Sequence, residues 1–285
     1  MTLSVVIITY NEEANITRTL ASVLPLVREL DGEIIVVDSG STDRTRDIAE
    51  SYGAKVFVEP WKGFAAQKNS AIDKATGDWV LSLDADEEVS AELATSVSRY
   101  LRIVAKHREV ASTKNVPAEV SDPVFDEAHE AGIEDPVDAI WVSRKNLFLG
   151  RWIKHGGFWP DRKLRLFRRG AGRVEDRAVH ETVKVKGATG TLSGALIHHA
   201  YPTLEIYEEH MRRYAALAAE MIRDKPRIAL SLNRWLNPPL TFIYNYIFRL
   251  GFLDGREGLL LHLGHARYVA EKYSKALELG PSRQK

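Results

Sequence analysis

Apolar runs that stop abruptly at polar clusters organise the first third of the chain. Leu3-Ser4-Val5-Val6-Ile7-Ile8-Thr9 is β-branched or apolar at nearly every position, the pattern of a strand covered on both faces, and it ends at Tyr10-Asn11-Glu12-Glu13. Beyond it Ile16, Leu20 and Val23 recur at spacings of four and three, which predicts a helix with Asn11 as its N-cap. Glu33-Ile34-Ile35-Val36-Val37-Asp38 repeats the plan and leads into a Ser39-Gly40-Ser41-Thr42-Asp43 turn and a helix carrying Ile48. A third strand is expected over 54–58, a helix over about 65–75, and a fourth strand over 79–83 that runs into Asp84-Ala85-Asp86-Glu87-Glu88. Strands alternating with helices predict βαβ units, an α/β fold and a mostly parallel sheet with right-handed crossovers.

The pattern changes after this region. Leu204, Tyr207, Met211, Tyr214, Ala218 and Met221 follow the candidate cap Thr203 at helical spacing, so a helix with one apolar stripe is expected. Residues 232–252 are the most apolar and aromatic part of the chain, interrupted by Pro238-Pro239 and Arg249. This segment is too short to span a bilayer comfortably and suits a membrane surface, a subunit contact or a cover over the rest of the chain. The organisation expected is an α/β domain over 1–200 with an acidic insertion at about 103–138, then a helical extension over 201–285.

Composition narrows the choices. With 285 residues, 45% of them apolar, the chain can build one large core with an appendage. Lys plus Arg equals Asp plus Glu at 39 each, and no nucleic-acid-binding motif is present, so nucleic acid is not an expected partner. Cysteine is absent, which leaves His, Asp and Glu as metal ligands. The opening strand leaves no room for a secretory leader and no run approaches 18 apolar residues, so a cytoplasmic protein with at most peripheral membrane contact is expected.

Charge is unevenly spread. Residues 103–138 hold nine acids against three bases and are broken by Pro117, Pro123 and Pro136, which predicts a loop-like or partly helical surface insertion. Between Arg144 and Arg173 there are ten Lys or Arg residues and one acid, Asp161, interleaved with Phe148, Trp152, Phe158, Trp159 and Phe167. A solvated charged face is the plain reading; an anionic, sugar-bearing ligand is the functional one. His155-Gly156-Gly157 would let backbone approach such a ligand closely.

The candidate chemistry sits at strand ends. Side chains alternate along a strand, so Asp84 and Asp86 point the same way and offer two hard oxygen ligands suited to Mg2+ or Mn2+ and a diphosphate. The competing reading makes one of them the cap of a helix starting near Ser90. Asp38 also ends a strand, where open α/β sheets bind ligands; it either accepts a hydrogen bond from a nucleotide or makes an Asx turn with the residues after it. Free N–H groups at the junction after Tyr10 favour an anion.

Thr9-Tyr10-Asn11-Glu12, Val37-Asp38-Ser39-Gly40-Ser41-Thr42-Asp43, Gln67-Lys68-Asn69 and Gly77-Asp78-Trp79-Val80-Leu81-Ser82-Leu83-Asp84-Ala85-Asp86-Glu87, in that order, resemble the family-2 glycosyltransferases of GT-A fold. The resemblance covers the first hundred residues firmly. It implies a nucleotide-sugar donor held by Thr9, Tyr10, Asn11, Glu12, Asp38, Lys68, Asp84, Ala85 and Asp86. Asp38 would lie near the base, Asp84 near the ribose or metal, and Asp86 on a divalent metal, Mg2+ or Mn2+. His198, in Leu196-Ile197-His198-His199, is similar to the histidine that completes the metal site with Asp84 and Asp86. Glu181, in Val179-His180-Glu181, looks like the family's general base, with Asp176 and then Glu175 in reserve.

The order of the tail, with Phe252-Leu253-Asp254-Gly255-Arg256-Glu257-Gly258 after the aromatic segment, is similar to bacterial enzymes that glycosylate the lipopolysaccharide core. The activity implied is inverting transfer of a hexose from a UDP-sugar to a hydroxyl on a lipopolysaccharide-core or lipid-linked saccharide, at the inner face of the inner membrane. A homo-oligomer is the other partner expected. The alternatives are a polyprenyl-phosphate glycosyltransferase, whose acceptor oxygen is already anionic, and a non-catalytic nucleotide-sugar-binding scaffold.

Overall fold

The computed structural model describes the backbone of residues 1–112, 137–175 and 182–281. The chain forms two compact units, Met1–Arg144 with Arg162–Ile197, and Lys145–Asp161 with His198–Lys285. The segment 145–161, expected to belong with the α/β domain, therefore groups with the C-terminal helices.

In the first unit β1 (Leu3–Thr9), β2 (Glu33–Asp38), β3 (Lys55–Val58) and β4 (Trp79–Asp84) alternate with α1 (Ile16–Glu29), α2 (Thr45–Ser51) and α3 (Phe64–Asp73). β1 lies between β2 and β4, β3 flanks β2, and all three pairings are parallel. The sheet continues with β8 (Asp161–Arg168), antiparallel to β4, then β6 (Ala139–Phe148), β11 (Thr189–Tyr201) and β5 (Glu87–Val89). The expected α/β class, a mostly parallel sheet flanked by helices with a helical C-terminal part, is observed.

The unbroken apolar runs have a direct cause in this arrangement. Val5 and Ile7 pack with Ile34, Val36 and Leu81 beneath α1 and α4 (Ala91–Ser112), whereas the alternate residues Val6, Ile35, Val37 and Val80 pack on Ala71 and Ile72 of α3. Both faces are covered, so neither can be polar. Gly77 permits β4 to enter beside β1: a Cβ there would lie 2.7 Å from the Ser4 amide nitrogen, and the Gly77 N–H instead donates to Ser4 Oγ at 2.8 Å.

One expectation needs correction here. Asn11 is not the cap of α1; the helix starts at Ile16, and residues before it form a tight turn in which the Glu12 carbonyl accepts from the amides of Asn15 and Ile16, with Asn11 in the left-handed region at φ 55°. The expected acidic insertion is helical over its first part, because Ile103 and Val104 continue the buried stripe of Val97, Tyr100 and Leu101 along α4. Residues 113–136 of that insertion lie outside the described residues.

The second unit contains β7 (Arg151–Trp152), paired antiparallel with residues 147–148 of β6, and then α5 (Leu204–Ile222), α6 (Arg227–Phe242), a π-helical stretch Ile243–Phe248, a 3-10 turn Gly251–Asp254 and α7 (Gly255–Leu279). Thr203 caps α5 as expected, its Oγ1 accepting from the Ile206 amide. Phe148, Ile153, Tyr207 and Leu261 form one core cluster, and Ala219, Leu230, Tyr273 and Ala276 another. Asp254, 2% exposed, accepts from the amides of Lys154 and His155 at 3.1 and 2.8 Å. Gly156 and Gly157 serve close packing within this unit, for a side chain at either would overlap His262 or Arg249. No helix among the described residues is long and apolar enough to cross a membrane.

Candidate active site

The three central parallel strands present their carboxyl ends together, and the loops after β1 and β2 are latched to one another. The amides of Asn11, Glu12 and Glu13 donate to Ser41 Oγ, Thr45 Oγ1 and Asp43 Oδ2 at 2.8, 2.7 and 3.1 Å. In return the amides of Thr42 and Arg44 donate to Asn11 Oδ1 and Glu13 Oε2 at 2.8 and 3.0 Å. Thr9 Oγ1 donates to Asp38 Oδ2 at 2.9 Å across the paired strands. Asp38 is fully buried and also accepts from the amides of Gly40 and Ser41 and from Ser41 Oγ, so its oxygens are committed to an Asx turn. Tyr10, by contrast, is 58% exposed beside this latch.

The loop after β4 is built around charge. Asp84 Oδ1 meets Lys68 Nζ at 2.8 Å, and Asp84 Oδ2 accepts from Arg165 Nη2 at 2.6 Å. The same Arg165 nitrogen donates to Glu87 Oε1 at 2.6 Å, and Arg144 reaches that oxygen at 3.1 Å. Glu87 is fully buried, and its other oxygen accepts from the Asp84 amide at 3.0 Å. Burial alone would raise the Asp84 pKa, yet the charges of Arg165 and then Lys68 hold it well below the usual carboxylate range. The same two acids hold Arg165 protonated against its burial. Neither Asp84 nor Asp86 caps α4, since Ser90 does so, its Oγ accepting from the Leu93 amide.

Ala85 is buried, its carbonyl accepting from Thr19 Oγ1 at 2.6 Å, which fixes the turn that presents Asp86. Burial raises the pKa of Glu12, and the negative charges of Asp86, Asp43 and Asp84 raise it further against a hydrogen bond from Asn15. Glu12 and Asp86 are therefore electrostatic neighbours. Gln67 is fully buried with both amide atoms unpartnered among the described residues. Its neighbour Asn69 exchanges hydrogen bonds with the Val174 backbone, tying α3 to β9 (Gly172–Val174).

β9 pairs antiparallel with β10 (Val183–Val185), and the Glu175 amide donates to the Thr182 carbonyl at 3.1 Å. Asp176 and Glu181, the expected base candidates, fall between these strands and lie outside the described residues. His198 belongs to the second unit, where its Nδ1 lies 2.7 Å from Asn146 Oδ1. Asn146 Nδ2 in turn donates to Asp161 Oδ2, so the asparagine oxygen faces the histidine and accepts from its Nδ1. Among the described residues no three His, Asp or Glu side chains are grouped to hold a metal ion.

Residues 4–170 of the chain match Glycosyl transferase family 2. The chain belongs to that family. It is similar over most of its length to LpsC, a lipopolysaccharide core biosynthesis glycosyltransferase of Rhizobium meliloti, with 27% identity over 256 residues that cover 87% of this chain and 82% of LpsC. A protein of Rickettsia typhi named as an uncharacterized glycosyltransferase is 46% identical over 107 residues, 38% of this chain. The chain matches about a third of the length of that relative. Among solved structures, S. aureus TarS in complex with UDP-GlcNAc aligns over 98% of this chain and 91% of its own, with 19% identity and a TM-score of 0.47.

In this family-2 glycosyltransferase much of the basic run from Arg144 to Arg173 is paired with partners of the same chain, although only Arg165 is buried. Arg144 and Arg165 join the Asp84–Glu87 cluster, Arg168 lies 3.6 Å from Asp138, Arg169 donates to the Gly77 carbonyl, Arg173 meets Asp73 and Arg151 meets Glu257. The plain reading of a solvated face fails for the buried Arg165 and the partly buried Arg144 and Arg168, whereas Arg151, Arg169 and Arg173 are exposed, as that reading expects. Arg165, Glu87 and Arg144 were not singled out by sequence reasoning. The available signal was Arg165 itself, a charge between Leu164 and Leu166 in a strand whose neighbours are buried.

Proposed function

We propose that this glycosyltransferase moves a hexose from a UDP-sugar to a hydroxyl of a lipopolysaccharide-core or lipid-linked saccharide, with inversion and with a divalent metal. The observation that carries the reading is the division of labour between two aspartates two residues apart. Asp84 is bound by Lys68 and Arg165 and serves as a fixed, charge-balanced acceptor for a ribose hydroxyl, whereas Asp86 lies close enough to Glu12 to raise its pKa.

The metal fits this donor set. Glu12 and Asp86 are hard oxygen donors whose mutual repulsion a cation would relieve, and Mg2+ or Mn2+ needs only one or two carboxylates when phosphate oxygens and water complete its shell. Asp86 would hold the ion, with Asp84 as the second carboxylate of the same loop. When bound, it supplies positive charge against that growing on the leaving diphosphate. Tyr10 offers an exposed ring to the base, and the loop that Asp38 holds frames it. Glu181 takes the acceptor hydroxyl proton as the new bond forms, and Asp176 is the reserve.

LpsC, similar across 87% of this chain, supports the lipopolysaccharide-core acceptor. Such an acceptor places this cytoplasmic enzyme at the inner face of the inner membrane, through peripheral contact. The test is UDP release from UDP-hexoses by wild type, Asp86→Asn and Asp84→Asn, before and after chelation. Asp86→Asn should lose at least about two orders of magnitude in turnover with its stability intact, and Asp84→Asn should lose both. Near-normal turnover in Asp86→Asn, or full activity after thorough chelation, would overturn the metal assignment.

A further inference from the structure

Soluble helices turn their apolar stripe toward the core and their polar face to water. α6 and the π-helical stretch after it do the reverse. Ile228, Leu232, Leu236, Leu240, Ile243 and Ile247 recur at spacings of three and four, and every one is exposed, from 41% at Ile243 to 85% at Ile228. Trp235 at 74%, Tyr244 at 57% and Phe248 at 73% widen the stripe. The face turned inward is the sparser one: Leu230 is buried, and Asn237 donates to Tyr273 Oη of α7 at 2.7 Å.

Within the segment itself the charge has one sign. Residues 225–253 include four basic side chains, Lys225, Arg227, Arg234 and Arg249, all exposed, and no acid. Arg234 lies over the ring of Trp235 at 5.6 Å and Arg249 over that of Tyr244 at 5.8 Å, so cations and aromatic rings are interleaved along the stripe. An apolar stripe with indole and phenol rings, whose own segment carries cations and no acid, matches the boundary between acyl chains and anionic headgroups. It does not match a second copy of itself. A two-fold contact would set the segment against its own image and bring its arginines together, and residues 225–253 hold no acid to receive them.

We infer that α6 and the π-helical stretch, residues 227–248, lie in the plane of an anionic lipid surface as an amphipathic anchor, with the apolar stripe among the acyl chains and the arginines among the headgroups. The inference deepens the peripheral contact proposed above and is independent of the catalytic assignments. It also moves the source of positive charge from the 144–173 run, much of which is internally paired, to the anchor itself.

The test is flotation of the full chain with vesicles of equimolar phosphatidylglycerol and phosphatidylcholine, beside vesicles of phosphatidylcholine alone, with sizing and UDP release measured on the same samples. Wild type should float with the anionic vesicles and release as salt rises. Arg234→Glu should bind at least roughly fivefold more weakly, the factor expected for one lost headgroup charge. Trp235→Ser combined with Ile247→Ser should lose roughly tenfold or more. Both variants change exposed positions, so their size and their UDP release with a soluble acceptor should match wild type. Absence of wild-type binding at low salt would overturn the inference, as would equal binding by the variants. Conversion of an oligomer to a monomer by the same substitutions would also overturn it and assign the face to a second copy. Vesicle capture without any nucleotide-sugar turnover would leave the anchor standing and remove the proposed reaction; turnover without capture would do the opposite.

Discussion

Replacing Arg165 by methionine removes the one side chain that bridges Asp84 and Glu87. Its two contacts, both at 2.6 Å between nitrogen and oxygen, are each worth roughly 4 kcal/mol of attraction if the delocalised charges are taken as about 4 Å apart at the effective dielectric of a protein pair, about 8 kcal/mol gross. Several kcal/mol come back because the guanidinium, 6% exposed, no longer has to leave water. Asp84 keeps Lys68 and Glu87 keeps Arg144, so neither acid becomes an isolated charge. The net loss should therefore fall at the lower end of that for breaking a buried pair, about 3 kcal/mol. Denaturant titration of wild type, Arg165→Met, Glu87→Gln and the double variant gives both the loss and the coupling. The double variant should recover at least about 1 kcal/mol relative to the sum of the singles, since each removes the partner that the other leaves exposed. A loss below about 1 kcal/mol for Arg165→Met, or strict additivity, would refute the view that this cluster is a mutually dependent buried network.

Three further outcomes are expected. Glu181→Gln keeps shape and loses basicity, so kcat should fall by about two to four orders of magnitude with donor affinity little changed; equal loss in Asp176→Asn with Glu181→Gln unaffected would transfer the role. Gln67→Met removes a buried amide that has no partner among the described residues and should raise stability by about 1–2 kcal/mol in thermal melts; a weaker UDP affinity in the same variant would show that the amide is kept for the donor. His265, stacked on Phe158, has its pKa pushed down to about 4 by burial and by His262. The unfolded imidazole titrates near 6.5, so the unfolded chain binds a proton that the folded chain refuses; stability is full above that pH and drains away as pH falls toward 4, by about 3 kcal/mol. His265→Phe should flatten that slope in denaturation measured across the same pH range.

The strands of the first unit were legible because a doubly covered strand must be apolar at consecutive positions, and Leu3–Thr9, Glu33–Asp38 and Trp79–Asp84 are. The carboxylates at their ends were legible for the same reason, as abrupt stops in those runs. The role of Asn11 was not. An asparagine before a helical pattern reads as a cap, and only the partner loop, 31 residues away at Thr42, shows that its side chain is engaged elsewhere. Arg165 was hidden within a basic run whose composition suggests a solvated face, because its partner Glu87 is 78 residues distant in sequence. Gly156 and Gly157 signalled a close approach correctly, but the approaching groups, His262 and Arg249, come from about a hundred residues further on. What local pattern conveys is which positions need burial or freedom, and long-range pairing decides what meets them.

The latch between the first two loops bears on how such chains are compared with one another. Asn11, Glu13, Ser41, Asp43 and Thr45 spend their side chains on each other's backbones, so a descendant that had abandoned transfer would still need them to shape its sheet edge. Their presence marks ancestry and architecture. On the roles proposed for Asp86 and Tyr10, loss of function would be written first at those two positions, which the latch does not hold, and a survey of relatives that weighed them apart from the latch would separate working enzymes from retired ones that the full motif would count alike.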